Sequence, residues 1–189
     1  MAAFTPMMQQ YLDIKNQYKD CIMFYRVGDF YEMFFDDALT ASKALEITLT
    51  GKDCGQEERA PMCGVPYHAY EVYANRLIEQ GYKVAICEQV EDPKQAKGLV
   101  KRDVIQIITP GTNLSTQNLK EGQNNYIMSI YAFDNAYGIA VADITTGEAR
   151  TCQVTSQEKC KDEINKYQPS EIICNETLLC QDWDWDYYR

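Results

Sequence analysis

The chain carries the sequence CIMFYRVGDFYE at residues 21–32, in which Gly28-Asp29 interrupts a run of apolar and aromatic side chains. A short apolar run that ends at a glycine–aspartate pair is typical of a strand that enters a tight turn. We therefore predict a strand at 21–27, a turn at Gly28-Asp29 and extended chain over 30–32.

The extended chain after the turn combines an aromatic residue with a carboxylate. Side chains alternate along a strand, so Phe30 and Glu32 should project from one face, about 7 Å apart, with Tyr31 on the other. An aromatic ring gains ~1–3 kcal/mol by stacking on an unpaired base, and apolar wedges enter duplexes where stacking is weak. A carboxylate is repelled by the phosphates of intact duplex, but it can accept a hydrogen bond from a displaced base, or donate one if the phosphate field raises its pKa. On residue types alone, core aromatics beside one solvated acid remain the favoured interpretation.

The segments around this stretch alternate between helical and extended patterns. Thr5-Pro6 predicts a helix start, and Asp36 or Asp37 is suited to cap a second helix. The loop at 51–59 is polar and is predicted to be exposed. The predicted elements up to residue 110 are helices at 6–19, about 36–45 and 70–81, and strands at 21–27, 47–50, 61–66, 82–88 and 104–108.

A change of pattern near residue 110 marks the predicted domain boundary. Thr109-Pro110-Gly111-Thr112 ends the preceding strand pattern, and turn residues then separate alternating segments at 125–133, 137–143 and 149–154. These segments predict an antiparallel meander, followed by a helix at 156–167 and a strand at 171–174. We divide the chain into a domain at 1–110, a linker at 111–123 and a second domain at 124–189.

Composition indicates a globular protein with an acidic surface. Hydrophobic residues make up 46% of the chain and charged residues 24%, and the net charge is −10. No apolar run approaches the roughly 18 residues that span a bilayer, and the N-terminus lacks a secretion pattern, so we expect a cytoplasmic protein. An acidic surface repels phosphate at long range. If nucleic acid is the partner, most of the electrostatic attraction must come from elsewhere.

Cysteine and histidine do not predict a metal site. The eight cysteines form no C-x-x-C pair and His68 is the single histidine, so no zinc set of familiar spacing can be assembled. We expect free thiols, no cofactor within these 189 residues, and a packing or capping role for His68. A G-x-x-x-x-G-K-[ST] phosphate loop is absent from the sequence, so we expect no ATP bound in that way.

Two groups of basic residues are candidates for phosphate contacts. They lie in predicted loops near residues 51–59 and 94–102 and comprise Lys52, Arg59, Lys94, Lys97, Lys101 and Arg102. Such contacts would fix the register of a duplex without reading its sequence. Solvated loops carry the same charges routinely, and both interpretations stay open.

Acidic residues of the second domain offer an alternative function. Asp143 and Glu148, with Asp134 and Asp162, are residue types that hold magnesium in metal-dependent nucleases. Their positions near turns and the lack of a defined spacing favour solvated acids instead. A nuclease would lose magnesium-dependent cleavage when Asp143 is replaced, whereas a third alternative, a protein-interaction adaptor, would bind its partner on the acidic segment 111–189.

Several separated blocks of the sequence resemble one protein family. In chain order they are TPMMQQYL at 5–12, FYRVGDFYE at 24–32, PMCGVPYHA at 61–69, VAICEQ at 84–89, TPGT at 109–112 and DITTG at 143–147. They resemble the N-terminal part of bacterial MutS proteins, which act in DNA mismatch repair. Because several blocks in fixed order are more specific than one motif, the resemblance outweighs the interpretation of residues 30–32 as ordinary core.

The resemblance implies a fold and a site. The implied fold is α/β (mixed α+β): a mismatch-recognition domain with a mixed sheet and flanking helices, then the first part of a ribonuclease H-like connector domain. By resemblance, Phe30 is the wedge that stacks on a mismatched or unpaired base, and Glu32 is the carboxylate that contacts this base. The remaining candidate DNA contacts are Lys52, Arg59, Lys101 and Arg102.

The resemblance also implies that this sequence is part of a longer protein. Family members continue into lever and clamp helices and a C-terminal ATPase that binds ATP and magnesium and dimerises. We therefore expect the isolated chain to be monomeric and without catalytic residues. The expected partners are mismatched duplex DNA and, for the longer protein, a second copy and downstream mismatch-repair proteins; no membrane partner is expected.

Overall fold

A computed structural model describes residues 3–91, 96, 98–113, 124–181 and 183 of the chain. The chain divides into two compact units, Met1–Thr109 and Pro110–Arg189. This division falls next to the predicted boundary at residue 110. Most of the predicted linker, 111–123, lies outside the described residues, so the domain limits stay a prediction.

The first unit is a mixed sheet with helices on its faces. The helices are α1 Pro6–Lys15, α2 Phe35–Leu45 and α3 Tyr70–Glu79, and the strands are β1 Cys21–Val27, β2 Phe30–Phe34, β3 Thr50–Lys52, β4 Ala60–Pro66, β5 Lys83–Gln89 and β6 Arg102–Ile108. The strand order is β3-β4-β2-β1-β5-β6, with β1 and β5 parallel and the other neighbours antiparallel. The predicted fold class is confirmed.

Strand β1 lies inside the sheet and is covered on both faces. Ile22 and Phe24 belong to the apolar cluster that includes residues of α2 and α3. Met23 and Tyr25 belong to a second cluster, which includes residues of α1. A strand that is buried on both faces has no solvent-facing positions for polar residues. This explains why residues 21–25 form a continuous apolar run.

Helix α1 begins as predicted but ends earlier. The hydroxyl of Thr5 accepts a hydrogen bond from the backbone N–H of Met8 at 3.4 Å, and Pro6 occupies the first helical position. The helix ends at Lys15 rather than at residue 19 because the chain turns there to enter β1. The Lys15 ammonium closes this turn by donating to the carbonyl oxygen of Cys21 at 2.5 Å.

The prediction that Asp36 or Asp37 caps α2 is wrong. The helix begins after Phe34, which supplies no side-chain cap, and both aspartates lie in the first turn. The buried Asp37 carboxylate instead accepts hydrogen bonds from the Met23 backbone N–H at 3.0 Å and the Tyr11 hydroxyl at 3.2 Å, and it lies 2.9 Å from the Lys15 ammonium. Asp37 therefore joins α2 to α1 and β1.

The strand predicted at 47–50 is also displaced. Glu46 ends α2 in the left-handed region, with φ of 57°, and the backbone N–H of Ile47 donates to the carbonyl oxygen of Ser42. These contacts use the first residues of the predicted strand to close the helix. The strand forms later, at Thr50–Lys52, where it pairs with Ala60–Met62 of β4.

The second unit contains the predicted meander. The strands are β7 Tyr126–Phe133, β8 Ala136–Asp143, β9 Glu148–Val154 and β10 Glu171–Cys174, and the helices are α4 Gln157–Tyr167 and α5 Glu176–Leu179. The order is β10-β7-β8-β9, with β10 parallel to β7 and the meander pairs antiparallel. Buried residues such as Met128, Ile139 and Ile164 form its core.

None of the helices in the described part of the chain has the length and apolarity that crossing a membrane requires.

Candidate nucleic-acid interface

Phe30 is the first residue of β2, an inner strand of the sheet, and is exposed where this strand begins. Its side chain has 49% of its surface accessible, whereas the next residue, Tyr31, is 3% accessible. Phe30 pairs with Val27 of β1 and with Pro66 of β4. A large aromatic ring is thus presented to solvent by a strand that is hydrogen-bonded on both sides.

The two-residue turn Gly28-Asp29 connects β1 to β2 and so sets the position of Phe30. Gly28 adopts a φ of 56°, which glycine enters without the steric cost that a side chain imposes. Arg26 donates from Nε to the Gly28 carbonyl oxygen at 2.5 Å, and the Tyr67 backbone N–H donates to the Asp29 carbonyl oxygen at 2.9 Å. Both residues of the turn are therefore fixed by hydrogen bonds.

A polar network beneath the turn holds Arg26 in position. The Tyr31 hydroxyl donates to Glu88 Oε2 at 2.6 Å, and the same oxygen lies 3.3 Å from the Arg26 guanidinium. The guanidinium also stacks on the Tyr67 ring, 3.8 Å from its centroid. Burial, followed by the adjacent Glu88 carboxylate, raises the pKa of Tyr31, so the hydroxyl stays protonated and donates. No local sequence pattern indicates this network, because Glu88 is 57 residues from Tyr31.

Phe30 and Glu32 line one open groove. Its volume is about 640 Å³, and its lining residues are Phe30, Glu32, Glu46, Ile47, Thr48, Thr50, Met62 and Gly64. The groove therefore combines apolar surface with carboxylates and hydroxyls. Such a surface suits a flat heteroaromatic ring that carries hydrogen-bonding groups at its edge.

Glu32 is engaged by a lysine of the edge strand. Its Oε2 lies 2.5 Å from the Lys52 ammonium, and the side chains are 14% and 26% accessible, respectively. Lys52 also lies 5.7 Å from the centroid of the Phe34 ring. The structure thus brings together two residues that the sequence analysis placed in separate segments.

The other predicted phosphate contacts differ in exposure. Arg59 and Lys101 are exposed, whereas Arg102 is 8% accessible. The Arg102 guanidinium donates to the carbonyl oxygens of Arg26 and Val100 at 2.7 and 3.0 Å, and to Gln10 Oε1 at 3.1 Å. These internal acceptors engage Nε and Nη1 of the guanidinium. Lys94 and Lys97 lie outside the described residues.

His68 and the cysteines lie at separate places in the fold and are not grouped into a metal site within the described residues. His68 is exposed in a 3-10 turn, Tyr67–Ala69, where its ring meets the Tyr67 ring edge to face. The eight cysteines are free thiols. Burial raises the pKa of Cys63 to about 11 and that of Cys87 to about 12, so both stay protonated at neutral pH. Over the described part of the chain, no group of three or more His, Cys, Asp or Glu side chains is arranged to hold a metal ion.

Asp143, the candidate nuclease residue, is buried and hydrogen-bonded to neighbouring protein groups. It is 1% accessible and accepts hydrogen bonds from the Thr145 hydroxyl at 2.6 Å, the Thr145 backbone N–H at 2.8 Å and the Asn125 backbone N–H at 3.2 Å. Glu148 pairs instead with Arg150 at 2.5 Å. The Asp143 carboxylate thus secures the turn between β8 and β9.

Comparisons with known proteins give the family. The family model described as MutS domain I matches residues 5–117, and that of MutS domain II matches residues 125–183. The chain is 68% identical over 175 residues to the DNA mismatch repair protein MutS of Lachnoclostridium phytofermentans, and 64% identical over 178 residues to that of Acetivibrio thermocellus. Each similarity covers 93% of this chain.

The chain belongs to the MutS family. It covers 19% and 20% of the length of these two relatives, so it spans about a fifth of each. The MutS domain I match contains every described element of the first unit, including the β1–β2 turn. The MutS domain II match contains the meander and the elements that follow it.

Proposed function

We propose that this chain recognises mismatched or unpaired bases in duplex DNA, as part of a longer MutS protein that acts in mismatch repair. Membership of the MutS family and the high similarity to DNA mismatch repair proteins of that family support the general role. The observation that carries the specific proposal is the exposed Phe30 ring beside Glu32 on a fixed hairpin.

Phe30 acts as a wedge that enters a weakly stacked base step. Unstacking a step of intact duplex costs a few kcal/mol, whereas stacking on an aromatic ring returns ~1–3 kcal/mol per base. The balance therefore favours insertion only where a mismatch or an unpaired base has already weakened the stack. The hydrogen bonds at Gly28 and Asp29 support this role, because a backbone that is already held in place loses little additional freedom when the ring inserts.

Glu32 discriminates between mismatched and matched duplex. Beside paired bases its carboxylate finds no free donor and is repelled by the phosphates, whereas a displaced base offers an N–H group. Lys52 lies against Oε2 only, so Oε1 is the oxygen that receives this donor.

Phosphate contacts come from exposed basic residues. Arg59 and Lys101 are accessible, so we assign them to the DNA backbone, where they fix register. Arg102 is assigned to holding the start of β6, because it is buried and its Nε and Nη1 groups donate to acceptors within the unit. The net charge of −10 opposes DNA binding, so most of the affinity resides in other parts of the longer protein.

The longer protein supplies the remaining activities. We propose that it is cytoplasmic, binds ATP and magnesium in a separate C-terminal domain, forms a homodimer and recruits downstream mismatch-repair proteins. The 189-residue chain by itself is assigned no catalytic residue and no cofactor, and is expected to be monomeric.

The wedge is tested by Phe30→Ala in the full-length protein. Losing the stacking of one aromatic ring should reduce the preference for mismatched over matched duplex about ten- to hundredfold. Affinities for both duplexes are measured by fluorescence anisotropy, with magnesium-dependent cleavage assayed in parallel. Phe133→Ala is the matched control, because Phe133 is 65% accessible in the second unit and should leave the preference intact. An unchanged preference in Phe30→Ala would contradict the wedge.

A further inference from the structure

The contact between Glu32 and Lys52 crosses a strand. Strand β4 lies between β2 and β3, with Glu32 opposite Gly64 and Lys52 opposite Ala60. Gly64 carries no side chain, and a Cβ at this position would lie 3.6 Å from Glu32 Cγ. The Glu32 side chain therefore lies over the bare backbone of Gly64, where it meets the lysine.

The pair has the properties of a positioning contact. Lys52 provides the only hydrogen bond or ion pair recorded for the Glu32 side chain within the described residues. At 14% and 26% accessibility the two side chains are partly withdrawn from water, so salt screens their attraction less than that of a surface pair. Without the lysine, the carboxylate is free to rotate in a groove of about 640 Å³.

The same contact removes Lys52 from the set of free cations. Its ammonium faces a carboxylate, and a phosphate would have to displace this carboxylate before it could be bound. Arg59, the last residue of the loop between β3 and β4, is exposed, and none of the ion pairs among the described residues involves it. Lys52 at the end of β3 and Arg59 at the end of the following loop thus differ in whether their positive charge is available to DNA.

We infer that Lys52 is a positioning residue for mismatch discrimination: it holds the Glu32 carboxylate over Gly64, facing the groove beside Phe30, and does not itself grip a phosphate. This inference rests on the proposed function, because it assumes that Glu32 meets the displaced base. Lys52 thereby sets how well mismatched and matched duplexes are distinguished, rather than how tightly DNA is held.

A double-mutant cycle in the full-length protein tests this role. Lys52→Met should lower the mismatched-to-matched affinity ratio about three- to tenfold when residue 32 is glutamate, as expected for directly coupled residues. In a Glu32→Gln background, the additional effect of Lys52→Met should be less than about twofold. Lys52→Arg preserves the cation, so it should keep most of the wild-type ratio.

Lys101→Met is the comparison for a true phosphate contact. It should weaken binding to both duplexes equally, whatever residue occupies position 32, and lower the salt dependence by about one unit of slope. If Lys52→Met behaves in this way, or leaves the ratio unchanged, the positioning role is overturned. Circular dichroism and thermal unfolding verify that each variant is folded, and Lys52→Gln replaces Lys52→Met if the latter is not.

The outcomes also separate this inference from the proposed function. If wild type shows no mismatch preference, or Phe30→Ala retains it, the proposed function fails. If the preference depends on Phe30 but the effects of changes at 32 and 52 simply add, only the role of Lys52 fails.

Discussion

Phe30 and Tyr31 are chemically similar neighbours that the pleat of β2 places in opposite environments. Phe30 is half exposed, whereas Tyr31 is buried and bonded to Glu88. This difference was predictable, because the two-residue period of a strand is a property of the local sequence. The Tyr31–Glu88 bond was not, because its partners are 57 residues apart and no local pattern connects them. The same holds for the pairing of Glu32 with Lys52.

At the residue scale, charge removal at Glu32 should relax discrimination. Glu32→Gln in the full-length protein removes one negative charge near phosphate and leaves Lys52 without its counterion. A unit charge at about 4 Å is worth ~1 kcal/mol in water, so matched-duplex affinity should rise about fivefold. Equilibrium binding to matched and mismatched duplex measures the change.

Glu46→Gln is the matched control for this substitution. Glu46 is an exposed acid of the same groove, but it lies at the end of α2 and has no assigned contact with the base. It should therefore leave the mismatch preference unchanged. A fall in matched-duplex affinity in Glu32→Gln would contradict the repulsive role of Glu32.

At the scale of elements, helices and strands were predicted correctly where the periodicity of the sequence agrees with the burial of its residues in the fold. The meander was predictable because β7 and β8 each alternate buried and exposed residues. The prediction of a strand at 47–50 failed because Glu46 and Ile47 end α2 instead. Strand propensity alone does not show whether such a residue belongs to the end of a helix or to the following strand. The prediction that Asp36 or Asp37 caps α2 failed because of a tertiary contact: the Asp37 carboxylate accepts a hydrogen bond from the Met23 backbone and pairs with Lys15.

The turn between β8 and β9 should make stability depend on pH. Burial raises the pKa of Asp143, but hydrogen bonds from Thr145, Asn125 and Thr146 outweigh it and hold the pKa below its usual value. A depressed folded-state pKa stabilises the fold above the unfolded pKa of ~3.9, and this contribution is lost as pH falls through the folded-state value. Asp143→Asn should cost about 1.5–3 kcal/mol at neutral pH, the range for hydrogen bonds to a charged group.

Urea unfolding followed by tryptophan fluorescence measures this cost. Trp183 packs in the core of the second unit, and both tryptophans of the sequence follow residue 110, so the signal reports on that unit. The difference between wild type and Asp143→Asn should shrink as the pH falls from 7 towards 2. A difference that stays constant over this range would show that ionisation of Asp143 does not stabilise the turn.

At the scale of the whole molecule, each apolar cluster is confined to one unit. The two clusters of the first unit draw on residues between Phe4 and Ile108, and the cluster of the second unit on residues between Tyr126 and Trp183. The charge is also divided, at −4 over residues 1–110 and −6 over residues 111–189. Each unit therefore has its own core, as an independently folding domain requires.

Residues 1–110 should fold without the rest of the chain. Because both clusters of this unit are complete within it, the isolated segment should show the far-ultraviolet circular dichroism of a mixed α/β protein and one cooperative thermal transition. Its melting temperature should match one of the transitions of the 189-residue chain. A broad, non-cooperative melt would mean that the proposed domain limit cuts through a folding unit.

The parallel pairing of β1 with β5 sets the order in which the parts of the first sheet form. β1 and β2 are joined by two residues, and hairpins of this kind form within about 1–10 μs. Pairing β1 with β5 closes a loop of about 60 residues, whose entropy must be lost before the contacts are gained. During synthesis, the β1–β2 hairpin that carries Phe30 therefore forms first, and one edge of β1 stays unpaired until β5 has been made. Until β5 arrives, this edge is open to strands of other chains, so the slowest step in building the sheet is also the step most exposed to aggregation.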